Sequence, residues 1–176
     1  MASSTAPTGI IRKAVKEDVP EILAMIRELA EYEKDLASCK ATEELLIKNL
    51  GFSGGPAFAH TVLVCEGEKA VGLALYFYNF STWTARPGVY LEDLYVRPES
   101  RGKGYGTALI AHLAKEVGRI EGGRLDWQVL DWNEPSIKFY KSIGAKHMAE
   151  WWTMRVQGDD GLSKLGELGP KLEYVE

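Results

Sequence analysis

Tyr90-Leu91-Glu92-Asp93-Leu94-Tyr95-Val96-Arg97-Pro98-Glu99-Ser100-Arg101-Gly102-Lys103-Gly104-Tyr105-Gly106-Thr107 is the stretch on which the reading of this chain turns. An apolar run from Val89 to Val96 carries two carboxylates and ends at the Arg97-Pro98 turn. A basic, glycine-rich loop from Arg101 to Gly106 follows, and after it comes the helical pattern Ala108-Leu109-Ile110-Ala111-His112-Leu113-Ala114. Strand, glycine loop and helix in this order build an anion site. The glycines let backbone N–H groups converge with no side chain in the way, and the helix N-terminus adds partial positive charge. A phosphate-bearing ligand is the natural occupant. Six residues alone would equally suit a connector that binds nothing; the flanking strand and helix favour the anion site.

The spacing excludes two common phosphate loops. A dinucleotide fingerprint needs Gly-x-Gly-x-x-Gly, but counting from Gly102 the third place is Thr107, and from Gly104 it is Leu109. A P-loop needs a lysine followed by a hydroxyl residue, and none stands there. What remains is Arg-x-x-Gly-x-Gly, spelled by Arg101, Gly104 and Gly106.

With 176 residues the chain has the length of one domain and can bury roughly 70% of its unfolded surface. Hydrophobic content of 45% and charged content of 26% are those of a soluble globular protein. A net charge of −4 argues against nucleic acid or an anionic membrane as main partner and weakly suits a cationic substrate. Cys39 and Cys65 form neither a disulfide framework nor a metal spacing, and His60, His112 and His147 are scattered, so no metal site is expected. No apolar run approaches the ~20 residues of a membrane span, and the N-terminus lacks the basic flank and apolar segment of a secretory signal. A cytoplasmic location fits these features.

The pattern along the chain predicts a disordered tail over residues 1–9, then a strand from Ile10 to Ala14. A helix is expected over 17–34 with Ile22, Leu23, Ile26, Leu29 and Ala30 on one face, and a second over 43–50 capped by Thr42. Strands over 60–66 and 70–80 form a hairpin through Gly67-Glu68-Lys69, and 83–88 reads as a loop before the key strand. The helix after the glycine loop runs to about Ile120, and a strand follows over 125–130. A helix opens at Asn133-Glu134-Pro135-Ser136 and extends to Ser142, and a last strand covers 146–156. Residues 157–176 read as a polar extension. The fold class is α/β, a single domain over 10–156 with a mixed central sheet flanked by helices.

Arg101-Gly102-Lys103-Gly104-Tyr105-Gly106 resembles the pyrophosphate loop of the GNAT N-acetyltransferases, which hold acetyl-coenzyme A. Trp132-Asn133-Glu134-Pro135-Ser136-Ile137-Lys138-Phe139-Tyr140-Lys141 is similar, within that superfamily, to the diamine (spermidine/spermine) acetyltransferases and their thialysine N-epsilon-acetyltransferase relatives. Arg27 to Lys34, Ser81-Thr82-Trp83 and Tyr90-Leu91-Glu92-Asp93 resemble the same subfamily, and Leu130-Asp131-Trp132-Asn133 leans toward its thialysine branch. The resemblance implies a GNAT-type domain that transfers acetyl from acetyl-CoA to a small amine, as a homodimer and without a metal. It implies that the backbone of Leu94, Tyr95 and Val96 pairs with the pantetheine arm. Arg101, Gly102, Lys103, Gly104, Tyr105, Gly106 and Thr107 would hold the pyrophosphate, and Asn133, Pro135, Ser136 and Tyr140 would flank the acetyl end. Tyr32, Glu33, Glu92, Asp126, Trp127, Gln128, Glu150 and Trp152 take the amine-side positions. The stretch between Gly144 and Glu150 is shorter than in the diamine enzymes.

The chemistry suits these residue types. A primary ammonium of pKa ~10.4 is protonated at pH 7, and exposing its lone pair costs about 4.6 kcal/mol. A carboxylate that first holds the cation and then accepts its proton, directly or through water, offsets part of this; Glu92 is the candidate base. A tyrosine hydroxyl can donate to a departing thiolate, and Tyr140 is the candidate acid. Plainer roles exist for each. Glu92 and Asp93 alternate across a strand, so one faces the core side and an exposed strand carboxylate is the default for the other. Tyr140 would otherwise pack, Asn133 would only cap a helix, and Tyr32 and Glu33 would sit on a solvated helix face. Two rival functions stay open: a protein or peptide N-acetyltransferase, and a non-catalytic acyl-CoA-binding sensor, against which the presence of Glu92 and Tyr140 argues.

Overall fold

Alternating apolar strands flanked by amphipathic helices leave one economical arrangement, a sheet with helices covering its faces. In the computed structural model, which describes residues 9–170, five strands form one sheet in the order β1-β2-β3-β4-β5. They are β1 (Gly9–Lys13), β2 (His60–Glu66), β3 (Lys69–Ser81), β4 (Arg86–Val96) and β5 (Leu125–Trp127). The first four run antiparallel in sequence, and β5 joins β4 in parallel, so the sheet is mixed. The helices are α1 (Val19–Tyr32), α2 (Glu43–Asn49), α3 (Tyr105–Arg119), α4 (Glu134–Ser142) and α5 (Asp159–Gly166). The chain divides into two compact units, Met1–Ser136 and Ile137–Glu176.

Local chemistry accounts for most boundaries. Thr42 caps α2 by accepting a hydrogen bond from the Leu45 N–H at 3.3 Å. A short 3-10 turn, Lys16–Asp18, precedes α1, whose Pro20 lies in the first turn where no N–H partner is needed. Within the first unit, Ile22 and Met25 of α1 and Leu50 pack against Leu63, Cys65, Ala70, Leu73, Leu75 and Tyr95 on one face of the sheet. Val62, Ala74, Val89 and Leu91 are buried through the other face, and α3 contributes Leu109, Ile110 and Leu113. Burying Leu- or Ile-sized side chains completely stabilises by about 1.5–3 kcal/mol each, so this two-sided core fixes the sheet beneath the site.

β4 departs from regular pairing. Leu75 of β3 stands opposite Asp93, but the next residue, Tyr76, stands opposite Leu91. Glu92 is the extra residue of a β-bulge. Because cross-strand partners share a face, Asp93 and Tyr95 lie with Leu75 and Leu73 on the α1 side, while Leu91 and Leu94 both lie on the other. Simple alternation of Glu92 against Asp93 therefore does not describe this strand.

Four further expectations need correction. Residues 146–156 form no strand, although apolar and polar residues alternate from Trp152 to Val156, and Trp152 is 86% exposed. Alternation is only half of a strand, which also requires a partner edge. The predicted strand over 125–130 ends at Trp127, and the loop predicted over 83–88 gives way to β4 at Arg86. The second unit holds α5, which polarity alone had assigned to an extension. The predicted tail over residues 1–9 lies, except for Gly9 in β1, outside the described residues.

Candidate active site

β4 and β5 pair only at Val89–Leu125, Tyr90–Asp126 and Leu91–Trp127. Beyond Leu91, β4 continues to Val96 with no strand of the described residues on that side. The bulge at Glu92 falls where the two strands part. The main chain of Leu94, Tyr95 and Val96 is thus an open edge, able to take an extended ligand as a strand would.

The glycine loop lies just downstream. Gly102 and Gly104 have φ of +75° and +83°, and a β-carbon at either would meet no atom within 4 Å. Gly104 delivers the chain into α3 as its N-cap, and no side chain caps the helix. The first turn of α3 carries no acidic residue. The N–H groups of Tyr105, Gly106 and Thr107 precede the first intrahelical bond, from Ala108 N to Gly104 O at 2.9 Å. They are the donors that an anion would complete. Lys103, in the loop, pairs through Nζ with Glu66 at 2.6 Å. Arg101 donates from Nε to the Val96 carbonyl at 2.8 Å, with its guanidinium 5.6 Å from the Tyr32 ring centre and 5.7 Å from that of Tyr95.

Asn133 is buried, and its Oδ1 accepts from the Tyr32 hydroxyl at 3.1 Å and from the Ser136 N–H at 3.4 Å. It caps α4, with Pro135 in the first turn, and also ties the end of α1 to the start of α4 across 101 positions of sequence. Tyr32 is thereby more than a solvated helix residue. Its ring lies 6.4 Å from that of Trp132.

Carboxylates gather beside the open edge. Asp93 is pushed up to about 6, by burial first and then by the charges of Glu92 and Glu33. Glu33, at the end of α1, is itself raised by burial. Glu92 is exposed. None of the three has an ion pair or hydrogen bond among the described residues, and a cluster of like charges kept unpaired is complementary to a cation. Asp93 and Trp132 are the site residues that sequence reasoning passed over. The signal for Asp93 was its place beside Glu92, once alternation is replaced by a bulge.

The remaining sequence candidates stand on β5, just past it, and in the second unit. Asp126 takes an ion pair from Arg124 at 2.8 Å and a hydrogen bond from Asn79 at 3.0 Å, so its carboxylate is spent on tying β5 to β3. Trp127 is half-buried at the end of β5, and Gln128 is exposed just past it. Tyr140 belongs to the second unit, half-buried near the end of α4 with its ring 5.2 Å from Phe139. Glu150 and Trp152 are exposed in that unit. A separate depression is lined by Lys69, Glu99, Arg97 and Glu28, which neutralise one another in pairs at 3.4 and 3.1 Å. Its lining includes Tyr95 but none of Glu33, Glu92 and Asp93. Among the described residues no group of His, Cys, Asp and Glu is arranged to hold a metal, and no helix is long and apolar enough to cross a membrane.

An open β4 edge running into an uncapped, glycine-preceded helix can take an extended ligand that ends in an anion. The chain belongs to the acetyltransferase (GNAT) family, whose profile matches residues 22–145, and it is an acetyl-transferring enzyme. The family uses acetyl-CoA as co-substrate. Among curated proteins, the chain is 41% identical to the thialysine N-epsilon-acetyltransferase of Sus scrofa, over 85% of this chain and 93% of that one. It is 30% identical to the L-ornithine N5-acetyltransferase of Arabidopsis thaliana, over 88% and 89% respectively. Among solved structures, an integron cassette protein from the mobile metagenome of V. cholerae superposes with a TM-score of 0.75 at 29% identity, covering 92% of this chain and 99% of that one.

Proposed function

We propose that this enzyme transfers the acetyl group of acetyl-CoA to the terminal primary amine of a small cationic substrate, either a polyamine or a lysine-like amine such as thialysine. The observation that carries the reading is the trio Glu33, Glu92 and Asp93, unpaired beside the open stretch of β4. Acetyl-CoA supplies the activated acetyl group as a thioester. Backbone N–H and C=O groups of Leu94, Tyr95 and Val96 pair with its pantetheine arm, and the N–H groups of Gly104 to Thr107 meet its diphosphate, with Arg101 released from Val96 to join them. The α3 N-terminus supports this role, since it carries neither cap nor carboxylate of its own.

On the amine side, the cluster's negative potential draws in the ammonium, and Glu92 accepts its proton directly or through water. Asp93 and Glu33 strengthen the hold on the cation. Tyr140, eight residues into the motif that begins at Asn133, donates to the departing thiolate. The relatives' substrates, thialysine and L-ornithine, share a primary amine at the end of a short cationic chain, which supports the substrate class. The same resemblance supports a homodimer, checked by light scattering.

A coupled assay of coenzyme A thiol release tests the proposal with spermidine, thialysine, lysine and ornithine, beside lysine-containing peptides. Turnover of a free amine well above that of any peptide is expected. Turnover of peptides alone, or of nothing, would overturn it.

A further inference from the structure

The residue following Glu33 is held in an unusual backbone conformation. Lys34 has φ of +63°, in the left-handed region where glycine is the usual occupant just past a helix. Its N–H bonds to the Glu31 carbonyl at 3.0 Å, and the Asp35 N–H reaches back to Ala30 at 2.9 Å, closing the end of α1. A β-carbon here costs stability that glycine would spare. The Lys34 ammonium does not pair with the adjacent Glu33; it rests 4.7 Å from the centre of the Trp132 ring.

This places a second cation on the aromatic pair that Arg101 already touches. Arg101 lies against Tyr32, Lys34 against Trp132, and the two rings are neighbours. Neither cation has a carboxylate partner among the described residues. Arg12 with Asp18, Arg97 with Glu28 and Lys103 with Glu66 show the alternative, a basic side chain held by a carboxylate of the same unit. An unpaired lysine immediately beside an unpaired glutamate is a charge separation maintained by the backbone, and a ligand bearing both signs would satisfy it.

We propose that Lys34, seated on Trp132, is a specificity-determining residue that binds the carboxylate of an amino acid whose distal amine is acetylated. The proposal rests on the small-amine reading above and deepens it. The acidic trio takes the distal ammonium, while Lys34 takes the carboxylate through a charge-assisted hydrogen bond. A polyamine brings a second ammonium to the same place and is repelled by Lys34, so selection against it is built in. Trp132 limits the freedom of the lysine stem, which reduces the ordering cost when the carboxylate binds.

The test compares kcat/KM for thialysine, its carboxamide and its decarboxylated diamine in the wild type, Lys34→Gln and Lys34→Gly. The wild type is expected to prefer the acid over the other two by about tenfold or more, since a charge-assisted hydrogen bond has that worth. In both variants the acid-to-carboxamide ratio drops about tenfold, chiefly through KM for the acid. Lys34→Gly also keeps or raises Tm, because glycine relieves the backbone, so a loss of preference in that variant is not a loss of folding. A wild type indifferent to the carboxylate, or a parallel fall for all substrates, overturns the role of Lys34 and leaves the small-amine reading standing. Turnover of none of the three amines overturns that reading and the role of Lys34 with it.

Discussion

Replacing Asp93 by asparagine removes a carboxyl group that burial, Glu92 and Glu33 push up to about 6 from its ordinary 3.8. Well below pH 3.8 the group is neutral in both folded and unfolded chains and contributes nothing. As pH rises the unfolded chain ionises first, so the folded state loses relative stability until both forms are charged above pH 6. A gap of about 2 units at 1.36 kcal/mol each sets this cost near 3 kcal/mol at pH 7, an upper limit because the side chain keeps some contact with solvent. Asparagine has nearly the same shape and never ionises. Asp93→Asn is therefore expected to raise Tm at pH 7 by up to about 6–12 °C, at 2–4 °C per kcal/mol for a chain of this size, with the gain closing toward pH 4. Activity moves the opposite way. A group of pKa ~6 is roughly 90% charged at pH 7 and 10% at pH 5, so the wild-type advantage in kcat/KM over the variant shrinks roughly tenfold between them. Circular dichroism melts across pH 4–8, with matched kinetics, read both quantities. A variant no more stable than wild type at pH 7, or a stability gap independent of pH, would refute the account of Asp93 as an uncompensated charge.

Three other perturbations separate the parts of the site. Glu92→Gln should lower kcat/KM by about 10²–10⁴ at unchanged coenzyme A affinity by calorimetry; equal losses in both would mean that Glu92 shapes β4 instead of handling the proton. Gly104→Val forces a branched residue to φ of +83° at the N-cap of α3, costing about 1–2 kcal/mol of stability and weakening coenzyme A binding tenfold or more. Unaltered binding would remove the α3 N-terminus from the cofactor site. Arg97→Ala breaks the pair with Glu28 and the bond to the Ala70 carbonyl, and should cost about 1.5–3 kcal/mol in urea unfolding while KM for the amine stays within twofold.

What the sequence disclosed was what neighbours in the chain decide. The hairpin at Gly67-Glu68, the Thr42 cap and the glycine loop before α3 depend on a few adjacent residues, and each stands where its pattern put it. Asn133 was legible as a cap for the same reason, whereas its bond to Tyr32 depends on α1 being folded against that turn. The displaced pKa of Asp93 needs Glu33, sixty positions away, to be brought near, and the left-handed backbone of Lys34 follows from how α1 ends. Residues 146–156 show the converse. Trp152, Met154 and Val156 alternate with Thr153 and Arg155, but pairing belongs to two segments, and one segment cannot announce it.

The bulge at Glu92 lies between these cases. Apolar residues occupy odd positions up to Leu91 and even positions from Leu94, a phase slip that Tyr90 and Tyr95 mask. If β4 alternated regularly through Glu92, Val89 and Leu91 would face one side of the sheet and Leu94 and Val96 the other, and one pair would lose its apolar cover. Bulging Glu92 out of the ladder keeps all four on the same face and holds Asp93 with Leu75 toward α1. The bulge also falls where β5 leaves the strand, and the edge is open beyond Leu91. A single unpaired residue thus sets the carboxylates, the open backbone and the core register together. A substitution that straightens β4 would have to lose all three at once.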